Sequence, residues 1–166
     1  SGSHGFLYES LILHALSNKV SQMGVGAALT YLTSFARLLD SASASFVTQT
    51  QFERFHVDHC THFDLDVSVY ALQRQLIDAE ILSGHGSEVS FKYPFHFYYF
   101  TARSLAQIED WSELESRIDY LVDAIHTERN ANILLFLAHL GRNPKVADKI
   151  IGRAERMFDD YGEADL

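Results

Sequence analysis

Four residues within a stretch of seven are the best suited to chemistry: His56, His59, Cys60 and His62. Imidazole and thiolate are good zinc ligands, and positions i, i+3 and i+4 of a helix share one face. A metal centre needs three or four such groups converging. His62 falls near the end of the expected helix, and no CxxC or HxxxH half lies elsewhere in the chain. The spacing therefore favours partly buried or surface histidines, and neither a metal nor another cofactor is expected. A small metal-dependent enzyme centred on His56, His59 and His62 is kept as a second alternative.

Nucleophilic catalysis has little to stand on. Cys60 follows His59, but sequence neighbours on a helix point to different sides, so adjacency does not make a dyad. As the sole cysteine, Cys60 also excludes an internal disulfide and a Cys-rich zinc module. The patterns G-x-S-x-G, H-E-x-x-H and G-x-x-x-x-G-K-[ST] are absent from the sequence. Without the last, the chain has no loop to cradle a nucleotide's phosphates. The carboxylate pairs Glu109-Asp110 and Asp159-Asp160 read as solvated helix ends. No catalytic residue is expected, and the chain is read as not an enzyme.

The elements that would carry these residues are mostly helical. The chain has 166 residues, 18.8 kDa, 47% hydrophobic residues and only two prolines. That is enough to bury a core without disulfide staples. Leu7, Tyr8, Leu11, Ile12, Ala15 and Leu16 mark a first helix from about Gly5 to Lys19. Val25, Ala28, Leu29, Leu32, Phe35, Ala36 and Leu39 mark a second. Phe46-Val47 reads as a short extended piece. Thr48 or Thr50 can cap a third helix with Phe52, Phe55 and His59 inward, and Asp64 or Asp66 a fourth carrying Val69, Leu72, Leu76 and Ala79.

Next, Ile81-Leu82, the turn Ser83-Gly84-His85-Gly86-Ser87 and alternating Val89, Phe91 and Tyr93 predict a β-hairpin. Three helices followed by a hairpin resemble a winged helix. Pro94 suits a helical first turn. Seven of the ten residues 91–100 are Phe or Tyr, and so many rings predict a helix buried between layers.

One amphipathic helix follows, with Leu114, Ile118, Leu121, Val122 and Ile125, and then the nearly continuous run Ile133-Leu134-Leu135-Phe136-Leu137-Ala138 predicts a buried helix ended by Gly141. Asn143-Pro144 opens a last helix whose outer face carries Lys145, Asp148, Lys149, Arg153 and Arg156. The fold class is thus mainly α: a winged-helix-like helical bundle with one short β-hairpin over residues 5–93, then an antiparallel helical subdomain over 94–159. Residues 1–4 read as a cloning scar and 160–166 as a frayed tail.

Charge narrows the partners. Lys and Arg number 13 against 22 Asp and Glu, a net charge of −9. Residues 1–83 hold four basic and eight acidic side chains, residues 84–166 nine and fourteen. Evenly spread acidity opposes nucleic acid and anionic membranes, because both demand neutralisation of dense negative charge. The expected reader helix, Asp66–Glu80, offers Arg74 against Asp66, Asp78 and Glu80. The aromatic run could stack bases, but Lys92 and Arg103 are its only basic neighbours. No apolar run is long enough to span a bilayer, and the expected location is the cytoplasm.

The segment from Val89 to Ala106, VSFKYPFHFYYFTARSLA, resembles the end of the winged-helix region in STAND-type NTPases, the NACHT and NLR-like class. There an extended strand leads into a helix of the form F-x-A-R-x-L-A, matched here by Phe100, Ala102, Arg103, Leu105 and Ala106. The stretch His126 to His139, HTERNANILLFLAH, resembles a phrase found downstream in large bacterial NTPases of that class. The resemblance covers roughly residues 81–158. It implies a piece of a longer polypeptide, downstream of an ATPase core, with a regulatory and scaffolding role through protein–protein or interdomain contacts. Arg103 is the residue that would salt-bridge a neighbouring domain. Many relatives act in antiviral defence, some fused to effector modules. The alternative is a free-standing acidic immunity or adaptor protein that binds a basic partner. Either way the partner is a protein, and self-association is compatible with both.

Overall fold

The computed structural model describes residues 2–164 and is mainly α, with a small antiparallel sheet. The chain divides into two compact units between Thr101 and Ala102. Ser1 lies outside the described residues. Gly2 to His4 belong to α1 (Gly2–Lys19), so the helix begins three residues before the expected start.

In the first unit, α2 (Val25–Ser41) supplies the central stripe. Ala28, Tyr31, Leu32, Phe35, Ala36 and Leu39 recur at three-and-four spacing, and all are buried. The stripe of α1 is only half used. Ile12 and Leu16 are buried, while Leu7 and Leu11 are 62% and 67% exposed.

After α2 the chain turns through Ser43 into β1 (Val47–Thr48) and then α3 (Gln49–Phe63). Thr48 opens α3 with a full capping box: its side chain accepts from the Gln51 N–H at 3.1 Å, and the Gln51 side chain accepts from the Thr48 N–H at 2.8 Å. The other end differs from expectation. Asp64 does not cap α4 (Val69–Asp78); it closes α3 in the left-handed conformation, φ 52°. Three loop residues then separate it from Ser68, whose hydroxyl accepts from the Ala71 N–H and caps α4 instead of Asp66.

β2 (Leu82–His85) and β3 (Glu88–Phe91) form the hairpin. Its turn is tighter than the Gly-rich stretch suggests, for Ser83, Gly84 and His85 are already strand. Two residues make the loop, and Gly86 supplies the positive φ of 63° that such a turn requires. β1 joins the far side of β3, with Val47 opposite Val89, giving the order β1-β3-β2. Val47, Leu82, Val89 and Phe91 face the core.

α5 (Pro94–Ala106) starts at its proline as expected, but the aromatic run is not interior throughout. Phe91, Tyr99 and Phe100 are buried, whereas Tyr93 and Phe95 are 46% and 40% exposed. Consecutive helical positions point all round the axis, and only part of the first unit's core is there to receive them. Phe91 stacks on Phe100 at 5.6 Å and meets Phe35 at 5.2 Å.

The second unit holds the end of α5 with α6 (Trp111–Asp123), α7 (Glu128–Leu140) and α8 (Pro144–Ala164). Asp110 caps α6 by accepting from Ser112 and Glu113, Thr127 caps α7, and Asn143 accepts from the Lys145 N–H. Leu114, Ile118, Leu121 and Val122 face inward with Ile133, Leu134, Phe136, Leu137 and Val146. Leu135 is 46% exposed, so the apolar run of α7 is buried on one side only.

Two cations expected on the outer face of α8 turn to α6. Lys149 reaches Glu115 and Asp119, and Arg153 reaches Asp119 and Asp123. The order of the rungs makes α8 run parallel to α6. α8 continues to Ala164, five residues beyond the expected fraying point at Asp159; Asp165 and Leu166 lie outside the described residues.

Candidate functional site

The histidines of α3 do not converge. His56 is a core residue held from two sides: Tyr31 Oη lies 2.9 Å from Nδ1, and the Val67 carbonyl lies 2.7 Å from Nε2. A carbonyl only accepts, so Nε2 donates to it, and the Tyr31 hydroxyl lies against Nδ1. Burial, with Cys60 adding to it, holds the Tyr31 phenol well above its ordinary pKa, so it remains a donor. Cys60 Sγ sits 3.4 Å from His56 Nε2, buried, its thiol pushed up by burial and then by Asp66. Among the described residues, no group of three or more His, Cys, Asp or Glu is placed to hold a metal ion.

His59 lies one turn on, buried among rings: Tyr31 at 4.9 Å, Phe63 at 4.5 Å and Phe55 at 5.8 Å. Its Nε2 is buried without a hydrogen-bond partner among the described residues. Burial, then His56 and His62, lowers its pKa. His59 also lines a groove of about 510 Å³ between α2 and α3. Arg37 and Arg54 stand in its walls with His62 and one carboxylate, Asp58. Leu38, Phe55 and Phe63 make its surface apolar. Phe63 is 46% exposed and Leu38 36%. Among the described residues, no carboxylate pairs with Arg54, although Asp58 follows it by one turn.

A second groove, of about 440 Å³, lies between α1 and the start of α5. Tyr8, Leu11, Ala15, Tyr93, Phe95 and His96 are among its lining residues. Here the histidine is satisfied. Tyr8 Oη is 2.7 Å from His96 Nδ1, and His96 Nε2 donates to the Glu80 carbonyl at 3.2 Å. Burial pushes the His96 pKa down to about 4, partly offset by the bond to Glu80. The Tyr8 phenol is raised by burial. Tyr99 donates to Glu9 at 2.8 Å beneath the same helix pair.

Arg103 sits half-buried in α5, in the second unit, with no side-chain hydrogen bond or ion pair among the described residues. The carboxylate pair Glu109-Asp110 divides as its position implies, Asp110 capping α6 and Glu109 exposed.

Residues 45–101 match the family model described as Novel STAND NTPase 4, which associates the chain with STAND NTPases. The matched segment runs from just before β1 into α5, taking in α3, α4 and the whole sheet. It overlaps the expected resemblance, roughly residues 81–158, only over 81–101, and residues 1–44 and 102–166 lie outside it. No curated protein and no solved structure matches the chain.

Sequence reasoning missed Arg37 and Arg54 as groove residues. A signal was present, since they are two of only four basic residues among the first 83. It also missed His96, whose role depends on Tyr8, 88 residues away.

Proposed function

We propose that this chain is a non-catalytic regulatory and scaffolding module of a STAND-like NTPase, working through protein–protein or interdomain contacts. The observation that carries the reading is the coincidence of the family match at 45–101 with one structural piece: α3, α4, the three-stranded sheet and the start of α5. With α2 in front, the order helix, strand, two helices and hairpin, and a sheet ordered β1-β3-β2, is that expected of a winged helix. In this reading the module packs on protein. The exposed face of α4 presents Tyr70, Arg74, Ile77 and Asp78, too little positive charge to enter a groove of duplex DNA. Arg103 serves an interdomain salt bridge, the NTPase activity belongs to a separate ATPase core, and a cytoplasmic place in bacterial antiviral defence follows from the kinship.

The test is the reading frame that encodes the chain. A frame that continues upstream into a phosphate-loop motif supports the proposal. A start codon just before Gly5 and a stop just after Leu166 would refute it.

A further inference from the structure

We infer that α8 is a displaceable strap: it opens from α6 as a unit while α6 and α7 stay folded, and the face it bares takes a basic amphipathic helix. The inference concerns the second unit, outside the family match, and does not rest on the module reading. Three observations carry it.

The first is what holds α8 down. Lys145 stands over the Trp111 ring at 5.6 Å, Lys149 reaches Glu115 at 3.5 Å and Asp119 at 3.2 Å, and Arg153 reaches Asp119 at 3.1 Å and Asp123 at 2.6 Å. Cations one turn apart on α8 thus meet groups one turn apart on α6. Partly exposed ion pairs are individually weak, and salt weakens them further. The second is how little apolar burial adds to this. α6 buries Leu114, Ile118, Leu121 and Val122, and α7 buries Ile133, Leu134, Phe136 and Leu137. Among the described side chains of α8, only Val146 is buried, and Ile151 is 56% exposed. Val146 sits at the start of the helix against Gly141, where an added Cβ would come within 3.2 Å of it. The apolar anchor is at the hinge, and charge holds the rest. The third is Gly152, beside Arg153 in the middle of the ladder. A Cβ there would meet nothing within 4 Å, so no close approach requires glycine. Its effect is to lower the helix propensity of α8 where the ladder acts.

The face that opening bares carries Glu115, Asp119 and Asp123 at four-residue spacing. By the same spacing Ile118 and Val122 lie on it. A helix with Lys or Arg four residues apart beside Val or Ile matches this face, and α8 itself is the template. An acidic or uncharged helix leaves the three carboxylates without counter-charges.

Hydrogen exchange followed by NMR in the full, isotopically labelled chain reads the opening residue by residue. The expected result is that amides 149–156 exchange together, at least about tenfold faster than those of Ile118 and Leu134, and faster still in high salt. Lys149→Glu with Arg153→Glu speeds α8 about tenfold more and leaves α6 and α7 protected. Gly152→Ala slows α8 about fivefold. A fluorescein-labelled peptide copying residues 143–157 binds this double variant at least about tenfold more tightly than the unaltered chain, and the peptide with Glu at both cation positions does not bind. Protection of α8 equal to that of α6 and α7 would overturn the inference. So would exchange that rises smoothly toward the chain end and ignores salt and both variants, which is ordinary end fraying. Loss of α6 protection along with α8, or no binding of the peptide to the double variant, would overturn it as well. None of these outcomes alters the reading frame, so the strap can fail while the module assignment stands.

Discussion

The two grooves of the first unit are built from similar parts and differ in one respect. Each sets rings and a histidine between two helices. At α1 and α5, His96 accepts from Tyr8 and donates to the Glu80 carbonyl, so every polar atom of the ring is paired. At α2 and α3, His59 Nε2 has no partner among the described residues, and Arg37 and Arg54 line the groove with Leu38, Phe55 and Phe63. The first arrangement is how a protein finishes its own packing. The second leaves one buried ring nitrogen without such a partner among the described residues. A buried polar atom is kept unpaired only at a cost, so its location is informative.

Breaking the packing under each groove sharpens the contrast most. Phe52 is fully buried beneath the α2–α3 groove, 5.5 Å from Phe35 and 6.5 Å from Tyr31. Phe52→Ala is expected to cost about 3–5 kcal/mol of stability in urea denaturation. Phe95, 40% exposed in the other groove, is expected to cost no more than about 1 kcal/mol when replaced by Ala.

Acid separates the two histidines' surroundings next. An unfolded chain protonates His96 near about 6.5, whereas the folded ring takes a proton only near about 4. Between those values the unfolded state binds the extra proton. Stability is therefore lost as pH falls through this window and is fully present above it. The melting temperature should fall by several degrees between neutral pH and the lower end of that window. His59 is lowered too, so His96→Gln should flatten part of the fall and not all of it.

The ion-pair ladder of the second unit gives a smaller effect. Asp119 meets both Lys149 and Arg153 at 3.2 and 3.1 Å, and all three are partly exposed. Asp119→Asn should cost about 0.5–1 kcal/mol at low salt and less at high salt, read from denaturation midpoints. Smallest of all is Arg54→Gln, at an exposed site, expected to leave stability within about 0.5 kcal/mol.

Much of the fold was legible because local chemistry decides it. Thr48, Pro94, Asn143 and Gly141 act where their side chains or missing groups dictate, and Val89 and Phe91 alternate inward as a strand requires. What was not legible depends on neighbours. Asp64 is as good a cap as Ser68 by type, but it is spent on closing α3 at positive φ. Leu7 and Leu11 follow helical spacing, yet no element of the first unit covers them. The aromatic run was read by its ring count, while burial followed the direction of each ring, so Phe100 is covered and Tyr93 is not. The α2–α3 groove was hidden for the same reason. Arg37 and Arg54 come together only because α2 packs against α3, and periodicity along one helix says nothing about which residues of another lie opposite.

A pH titration of the histidine ring resonances in the isotopically labelled chain tests the contrast between the two grooves most directly. The account predicts that His96 takes its second proton only near about 4, with Nδ1 the unprotonated nitrogen above that pH. Protonation of His96 at the value of an exposed imidazole, or a proton on Nδ1 in the neutral ring, would contradict it.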